Sequence, residues 1–228
     1  SYALAESKAR EKISDSIDFE KADKDTVEGI SIAQIKHGGE WNTRPNSIDM
    51  LLYNLNNRTG LPVNFNVDDI DLNDAELFDN PLVYMVGHEK FELSGSERAN
   101  LRKYLKKGGT LIAEACCGRK AFDESFRKEM GYIFGGNVLE PIPRDNMIYK
   151  IPNNIQKVSV TPALASLKKQ GMKPPLLGAK TSKGYSVIYS PYGLAGGWDI
   201  FPDPYSKGYT SQDATKIGEN LVYYLLTN

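Results

Sequence analysis

The chain of 228 residues holds two cysteines and two histidines, and their places relative to its apolar segments decide what chemistry it has to offer. Cys116 and Cys117 end the run Gly108-Gly109-Thr110-Leu111-Ile112-Ala113-Glu114-Ala115-Cys116-Cys117-Gly118, an apolar strand with glycine at both ends. A strand that feeds a thiol into a glycine-flanked turn and then a helix, here beginning near Phe122, is the setting in which α/β proteins hold a nucleophile above the sheet. The amino end of that helix puts positive potential near the thiol. This lowers its pKa from about 8.5 and enlarges the few per cent of thiolate otherwise present at pH 7. His88 follows a second apolar strand. Neighbouring strands lie about 5 Å apart, so if the two are adjacent His88 reaches Cys116 or Cys117 as a base, with Glu89 or Glu114 to orient the imidazole. The candidate catalytic residues are therefore Cys116, Cys117, His88 and Glu114.

The same residues admit other roles. One cysteine can pack as a small hydrophobe while the other lines a cleft. His37, His88 and one cysteine would supply three ligands of a zinc site if the strands before them converge. Adjacent cysteines rarely bind one ion together, however, and the spaced pairs of structural zinc are missing, so no metal is expected. The acidic stretch Asp68-Asp69-Ile70-Asp71-Leu72-Asn73-Asp74 lacks the glycine and terminal glutamate of a calcium loop and reads as a solvated connection. Gly38-Gly39 and Gly196-Gly197 permit close backbone approach without forming a phosphate-binding fingerprint. No cofactor is expected.

Elements must position these groups. Ile30 to Ile35 reads as a buried strand, and Asn46 can cap a helix carrying Ile48, Leu51, Leu52 and Leu55 at three-to-four spacing. Val63 to Asn66 is a short strand and Leu82 to Val86 a continuous buried one. Ser94-x-x-Glu97 is a capping-box pattern that opens a helix through Leu101, Tyr104 and Leu105, which must stop at Gly108-Gly109. Thr110 to Ala115 is the next strand, and Phe122, Phe126 and Met130 share one face of the helix after it. From 138 to 180 the pattern loosens into an irregular insertion punctuated by Pro and Asn. The strand Tyr185 to Tyr189 and a helix from Ser211 to Leu226 follow.

Strands separated by amphipathic helices demand a mostly parallel sheet with helices on both faces, and five principal strands predict the flavodoxin-like order 2-1-3-4-5. Ligands in such sheets bind beyond the carboxyl ends of the strands. The rim so defined offers His37, Glu40, Trp41, Asn42, Arg44, Gly87, Glu89, Arg119, Trp198 and Asp199 as ligand-binding candidates. Trp41, Trp198 and Arg44 would give an aromatic wall and a guanidinium for an anionic or sugar-like ligand, or else merely cover the sheet end and pair with a carboxylate.

Net charge bounds the partners. With 28 basic against 29 acidic side chains the formal charge is -1, which offers no overall electrostatic attraction for nucleic acid or anionic lipid. No apolar run reaches the roughly 18 residues of a membrane-spanning helix. A disulfide ring between neighbouring cysteines is strained, which leaves free thiols as the default and the redox compartment open. Ala3-Leu4-Ala5 has the small-x-small pattern of a signal-peptidase site, and export or a cytoplasmic location are both compatible with it. Residues 1–28 read as a helical extension or tether, and residues 29–228 as one α/β domain.

Trp41-Asn42-x-Arg44-Pro45, then Tyr84-Met85-Val86-Gly87-His88, then Leu101-Arg102-x-Tyr104-Leu105-x-x-Gly108-Gly109-Thr110-Leu111, then Ala115-Cys116-Cys117-Gly118 with Phe122-Asp123-x-x-Phe126-Arg127 form a series. In order and spacing, over residues 30–200, it resembles the domain of unknown function 4159 family. The resemblance implies a class I glutamine amidotransferase-like, flavodoxin-type three-layer sandwich and supplies no established activity. The branch with the Ala-Cys-Cys-Gly signature often follows a helical prenyltransferase-like repeat region, whereas many other members carry acidic and aromatic residues at the cysteine positions. Tyr189-Ser190-Pro191 and Gly197-Trp198-Asp199 look like that branch too, but a cysteine-arginine pair it implies is replaced around Ala179-Lys180. Class I amidotransferases draw His and Glu from a His-x-Glu pattern after a later strand, and no histidine follows His88 here.

The missing pattern sets the order of two functional readings. The first is a binding or assembly module on an amidotransferase-like sheet, meeting an unknown small ligand or protein at the carboxyl rim, as a domain of a larger envelope-associated or multidomain protein. The alternative is a hydrolase or amidase with Cys116 or Cys117 as nucleophile and His88 as base.

Overall fold

A computed structural model describes residues 29–65, 67–167, 171–199, 203 and 205–227. The tether read over residues 1–28 lies outside them. In chain order the elements are β1 (Ala33–Ile35), α1 (Ser47–Thr59), β2 (Asp69–Ile70), β3 (Leu82–Gly87), α2 (Gly95–Lys107), β4 (Thr110–Ala115), α3 (Lys120–Phe134), β5 (Glu140–Pro141), α4 (Pro162–Ala165), β6 (Leu177–Thr181), β7 (Gly184–Ser190), α5 (Ala195–Trp198) and α6 (Ser211–Thr227).

All the strands join one sheet in the order β2-β1-β3-β4-β7-β6-β5. The first five of that order run parallel, and β6 alone is reversed, pairing antiparallel with both β7 and β5. Every residue of β3 and β4 is buried, as strands covered on both faces require. Their side chains alternate between two cores. Leu82, Tyr84, Val86 and Ile112 meet Leu51, Leu52 and Leu55 of α1 and Ile217 and Leu221 of α6 on one face. Val83, Met85, Leu111 and Ala113 meet Leu101 and Leu105 of α2 and Phe122, Phe126 and Met130 of α3 on the other. At roughly 1.5 to 3 kcal/mol for each fully buried large apolar side chain, these two layers dominate the stability of the mixed α/β sandwich.

Local chemistry sets the helix ends. Ser94 Oγ accepts from the Glu97 amide while Glu97 reaches back to the Ser94 amide, closing the capping box. Gly108, at φ 109°, turns the chain out of α2 in a left-handed conformation that a side chain would oppose. At α1 the structure differs from expectation, since the Asn46 side chain makes no capping bond. The Arg44 carbonyl instead accepts from Ser47 Oγ and the Ser47 amide, at 2.9 and 3.1 Å, which fixes the backbone of Arg44.

Two strand assignments also change. Val63 forms only an isolated bridge to Ile30, and the second strand is Asp69–Ile70, inside the acidic stretch read as a connection. The segment 138–180 is not wholly irregular. Leu177–Thr181 becomes β6, an antiparallel partner of β7, because the edge of β7 offers unpaired backbone groups that override the weak local pattern.

Gly87 closes β3 where the chain has no spare room. A Cβ there would stand 2.5 Å from the Gly39 carbonyl oxygen and 2.8 Å from both the His37 and Phe122 rings, whereas one on Gly38 meets nothing within 4 Å. Gly87→Ala is expected to lower unfolding free energy by about 1 to 3 kcal/mol, read from urea midpoints, and Gly38→Ala by less than about 0.5 kcal/mol. Equal costs at the two positions would contradict this packing.

Candidate functional site

The sheet brings the thiols and His88 together through strand register. Gly87 of β3 pairs with Ala115 of β4, so the residues that follow, His88 and Cys116-Cys117, leave the sheet side by side. One ring nitrogen of His88 and the two sulfurs lie within 4.8 Å of one another. Cys116 is buried in the α1-side core and Cys117 is half-buried at the rim. Their sulfurs are 3.5 Å apart.

Cys117 holds φ 56° and ψ 18°, a left-handed backbone at the turn between β4 and α3. Such a conformation costs a non-glycine residue of the order of 1 to 3 kcal/mol and persists only where the surroundings impose it. Among the described residues the other non-glycine with positive φ is Glu40, at 57°. Glu40 Oε2 lies 3.1 Å from His88 Nδ1. His88 Nε2 is buried and takes no hydrogen bond among the described residues. Thus one imidazole nitrogen is held by a carboxylate and the other is left for the thiols.

His37 builds the loop that presents Glu40. Its Nε2–H donates to the Val86 carbonyl at 2.8 Å and its Nδ1 accepts from the Gly39 amide at 3.0 Å. The ring packs against Phe91 and Phe122, at centroid distances of 4.8 and 5.6 Å. Burial, opposed by the Val86 carbonyl, lowers its pKa to about 4, which keeps it neutral. With both nitrogens engaged, His37 has no lone pair for a metal or ligand, which corrects both roles suggested by its position. The Gly39 carbonyl then accepts from the His88 and Glu89 amides, at 3.2 Å each, and ties the loop to the end of β3.

Charge divides the two thiols. Cys117 is drawn well below the usual thiol range, first by the Cys116 S–H and then by His88, Ser206 and the Arg44 guanidinium, against the cost of burial. Cys116 is pushed up by its hydrogen bond to Cys117 and by burial. His88 is raised by the Cys117 sulfur and by Glu40, again against burial. These shifts favour ionisation of Cys117 and protonation of His88, and oppose ionisation of Cys116. Arg44 lies 4.0 Å from Cys117 Sγ through Nη2 and is itself paired with Asp199 at 3.3 Å and Asp203 at 2.9 Å.

Glu114 does not orient His88. Its carboxylate, fully buried in β4, accepts from the Leu194 and Ala195 amides at the start of α5, the latter at 3.0 Å. Trp198 is 3% exposed, donates from Nε1 to the Ala214 carbonyl at 2.8 Å and lies 5.8 Å from the Tyr84 ring. It is a core residue and offers no wall to a ligand. Trp41 is half-buried with its carbonyl taken by Gln34, and Asn42, Glu89 and Arg119 are exposed. Ser206 and Asp203 are site neighbours that sequence reasoning passed over, since no periodicity or motif marks them 89 and 86 positions after Cys117.

Burial raises the Glu114 carboxyl from 4.5 to about 7, against the opposing effect of the two amides. A folded-state pKa above the unfolded value stabilises the protein at low pH, and the contribution is lost as pH climbs from about 4.5 to about 7. Glu114→Gln should remove that slope. The difference in unfolding free energy between variant and wild type is expected to move by roughly 3 kcal/mol in the variant's favour from pH 4.5 to pH 7.5, measured by urea titration. A pH-independent difference would contradict a raised Glu114.

The chain was compared with known proteins. A search of curated proteins returns no match. Among solved structures, the chain is similar to one titled "mmIFT52 N-terminal domain", with 14% identity and a TM-score of 0.41, over 87% of this chain and 98% of that one. The family described as domain of unknown function (DUF4159) matches residues 31–226, which span the whole sheet and every residue of the site just described, and the chain belongs to that family.

Proposed function

We propose that this domain is a thiol-dependent hydrolase or amidase acting on a carbonyl substrate, with Cys117 as nucleophile, His88 as general acid and base, and Glu40 as the carboxylate that orients the imidazole. The observation that carries the reading is that the two non-glycine residues with left-handed backbone among the described residues are Cys117 and Glu40, on either side of His88. Stored strain of this kind gathers at functional sites. A thiol on a strand-to-helix turn, a base beside it and a third group holding the base make up the nucleophile, base and orienter of acyl-transfer enzymes, whatever their chain order.

In the reaction so proposed, the Cys117 thiolate attacks the substrate carbonyl carbon and pushes its π electrons onto oxygen. Collapse of that adduct expels the leaving amine or alcohol, which takes the proton from the His88 imidazolium, and leaves a thioester on Cys117. Neutral His88 then takes a proton from water as it attacks the thioester, and the acid product departs as the thiolate reforms. Arg44 keeps negative charge at Cys117 favourable before and after each turnover. The strand order, with the nucleophile following central β4, supports a flavodoxin-type, amidotransferase-like ancestry for the sheet. Histidine before the nucleophile in the chain separates the site from the class I amidotransferase pattern and favours hydrolysis over glutamine-dependent transfer.

The binding-module reading would leave the thiol unassisted, so pH separates the two. Iodoacetamide is expected to alkylate Cys117, located by peptide mass spectrometry, at a rate already near its plateau at pH 6, whereas an ordinary cysteine reacts mainly as pH nears about 8.5. His88→Ala should move the midpoint upward by more than one pH unit and cut the pH 6 rate by about tenfold or more. A wild-type midpoint near that of free cysteine, unchanged in His88→Ala, would return the domain to the binding-module class.

Glu40→Gln removes the charge that supports the imidazolium while preserving a hydrogen-bond acceptor. The same alkylation is expected to slow at pH 6 by a smaller factor than in His88→Ala, about threefold to tenfold. No change at all would mean that Glu40 does not act through His88.

A further inference from the structure

We propose that the cavity beside Cys117, between α5 and the segment 206–211, receives a short unbranched aliphatic acyl chain attached to the carbonyl that the thiol attacks. This rests on the thiol reading above and adds to it the class of substrate.

The cavity has a volume of about 180 Å³. At a share of roughly 30 Å³ per water-sized group it holds about six non-hydrogen atoms, well below the 300 Å³ at which drug-sized pockets begin. Cys117 does not itself line it, but two of the lining residues adjoin the nucleophile. Ser206, which lines it, is among the groups that draw down the Cys117 thiol. Gly193, also in the wall, lies so close that a Cβ there would stand 3.1 Å from the Cys117 amide nitrogen and 3.2 Å from Ser206 Oγ.

The walls suit carbon. They include glycine backbone, Pro162 and Tyr209, and three of the polar side chains among them are already engaged. Asp203 holds Arg44 at 2.9 Å, the Thr161 hydroxyl donates to the Ser206 carbonyl, and the Ser211 hydroxyl donates to the Gly197 carbonyl. A charged or hydroxylated chain would find few free partners there and would lose its water, whereas an alkyl chain gains by leaving water.

Gly196 keeps this space open. At Gly193, Gly197 and Gly208 a Cβ would strike neighbours at 3.1, 2.5 and 2.4 Å, so close packing alone accounts for those glycines. A Cβ on Gly196 would meet only Ser206 Oγ at 3.5 Å, Ser206 Cβ at 3.8 Å and Arg44 Nη2 at 4.0 Å, all ordinary contacts. Its backbone has no positive φ. Packing therefore tolerates a side chain at 196, and what a larger one would do is extend between Ser206 and Arg44 into the cavity.

The test uses p-nitrophenyl esters of acetate, butyrate, hexanoate and octanoate at pH 6, with the p-nitrophenolate burst reporting transfer of the acyl group to Cys117 and each rate divided by that with glutathione. The corrected rate is expected to rise from acetate to butyrate by up to about fourfold per methylene and to fall at octanoate, whose chain exceeds the cavity. In Gly196→Val the butyrate-to-acetate ratio should drop about tenfold, with Gly196→Ala between it and the wild type. A wild-type profile that is flat or still rising at octanoate, or a ratio unchanged in the valine variant, overturns the assignment. The wild-type profile and the alanine variant decide the matter even if the valine variant does not fold. Should no ester acylate a protein whose Cys117 still reacts with iodoacetamide at pH 6, the subsite fails alone; should iodoacetamide also fail at pH 6, the thiol reading falls and the subsite with it.

Discussion

The pairing of β3 with β4 is the constraint on which everything else in this protein rests. Six consecutive partners, from Leu82 with Thr110 to Gly87 with Ala115, set which residues emerge together at the carboxyl rim. Side chains alternate along each strand, so a slip of one residue would exchange the two cores and carry His88 past the thiols. The register is held by volume on both faces: Tyr84 and Ile112 toward α1 and α6, Met85 and Ala113 toward α2 and α3. A rim site placed in this way needs no long loop to find its partner. Its geometry is inherited from the most buried part of the molecule.

Glu114 extends the same logic across the sheet. An acidic side chain buried near the carboxyl end of a central strand would be costly were it not bound by two amide hydrogens at the start of α5. Those bonds hold the turn after β7 over the end of β4. This is why Gly193 approaches the Cys117 amide and why Ser206 comes within reach of the sulfur. His37 does the corresponding work on the other side, where its two ring nitrogens pin the loop that carries Glu40. Two polar residues inside the fold thus position the two walls of the site, and neither has a free group to offer a ligand.

Much of this was legible in the residues because the sheet advertises itself. Continuous apolar runs such as Leu82–Val86, helices with three-to-four spacing, and the Ser94/Glu97 box are local signals that tertiary structure has no reason to override, and they place His88 and the cysteines at one edge. What local pattern does not encode is which side chain turns inward. Trp198 sits at the rim in sequence, yet its indole is drawn under α6 by the Ala214 carbonyl and Tyr84. Glu114 appeared a natural partner for His88, and the left-handed backbone at residue 40 delivers Glu40 instead. β6 was hidden because Leu177–Thr181 owes its extended form to β7, and Asp203 and Ser206 because the fold alone brings them to Arg44 and Cys117.

The ends of the sheet carry a consequence of their own. Its outermost members, β2 at one side and β5 at the other, are each two residues long, and β5 ends on a proline that has no amide hydrogen to donate. A foreign strand arriving at either margin would find too short a row of open backbone groups to extend. The long, apolar, self-adhesive strands are kept to the middle, and the margins are blunted, so the sheet carries its own guard against edge-to-edge aggregation.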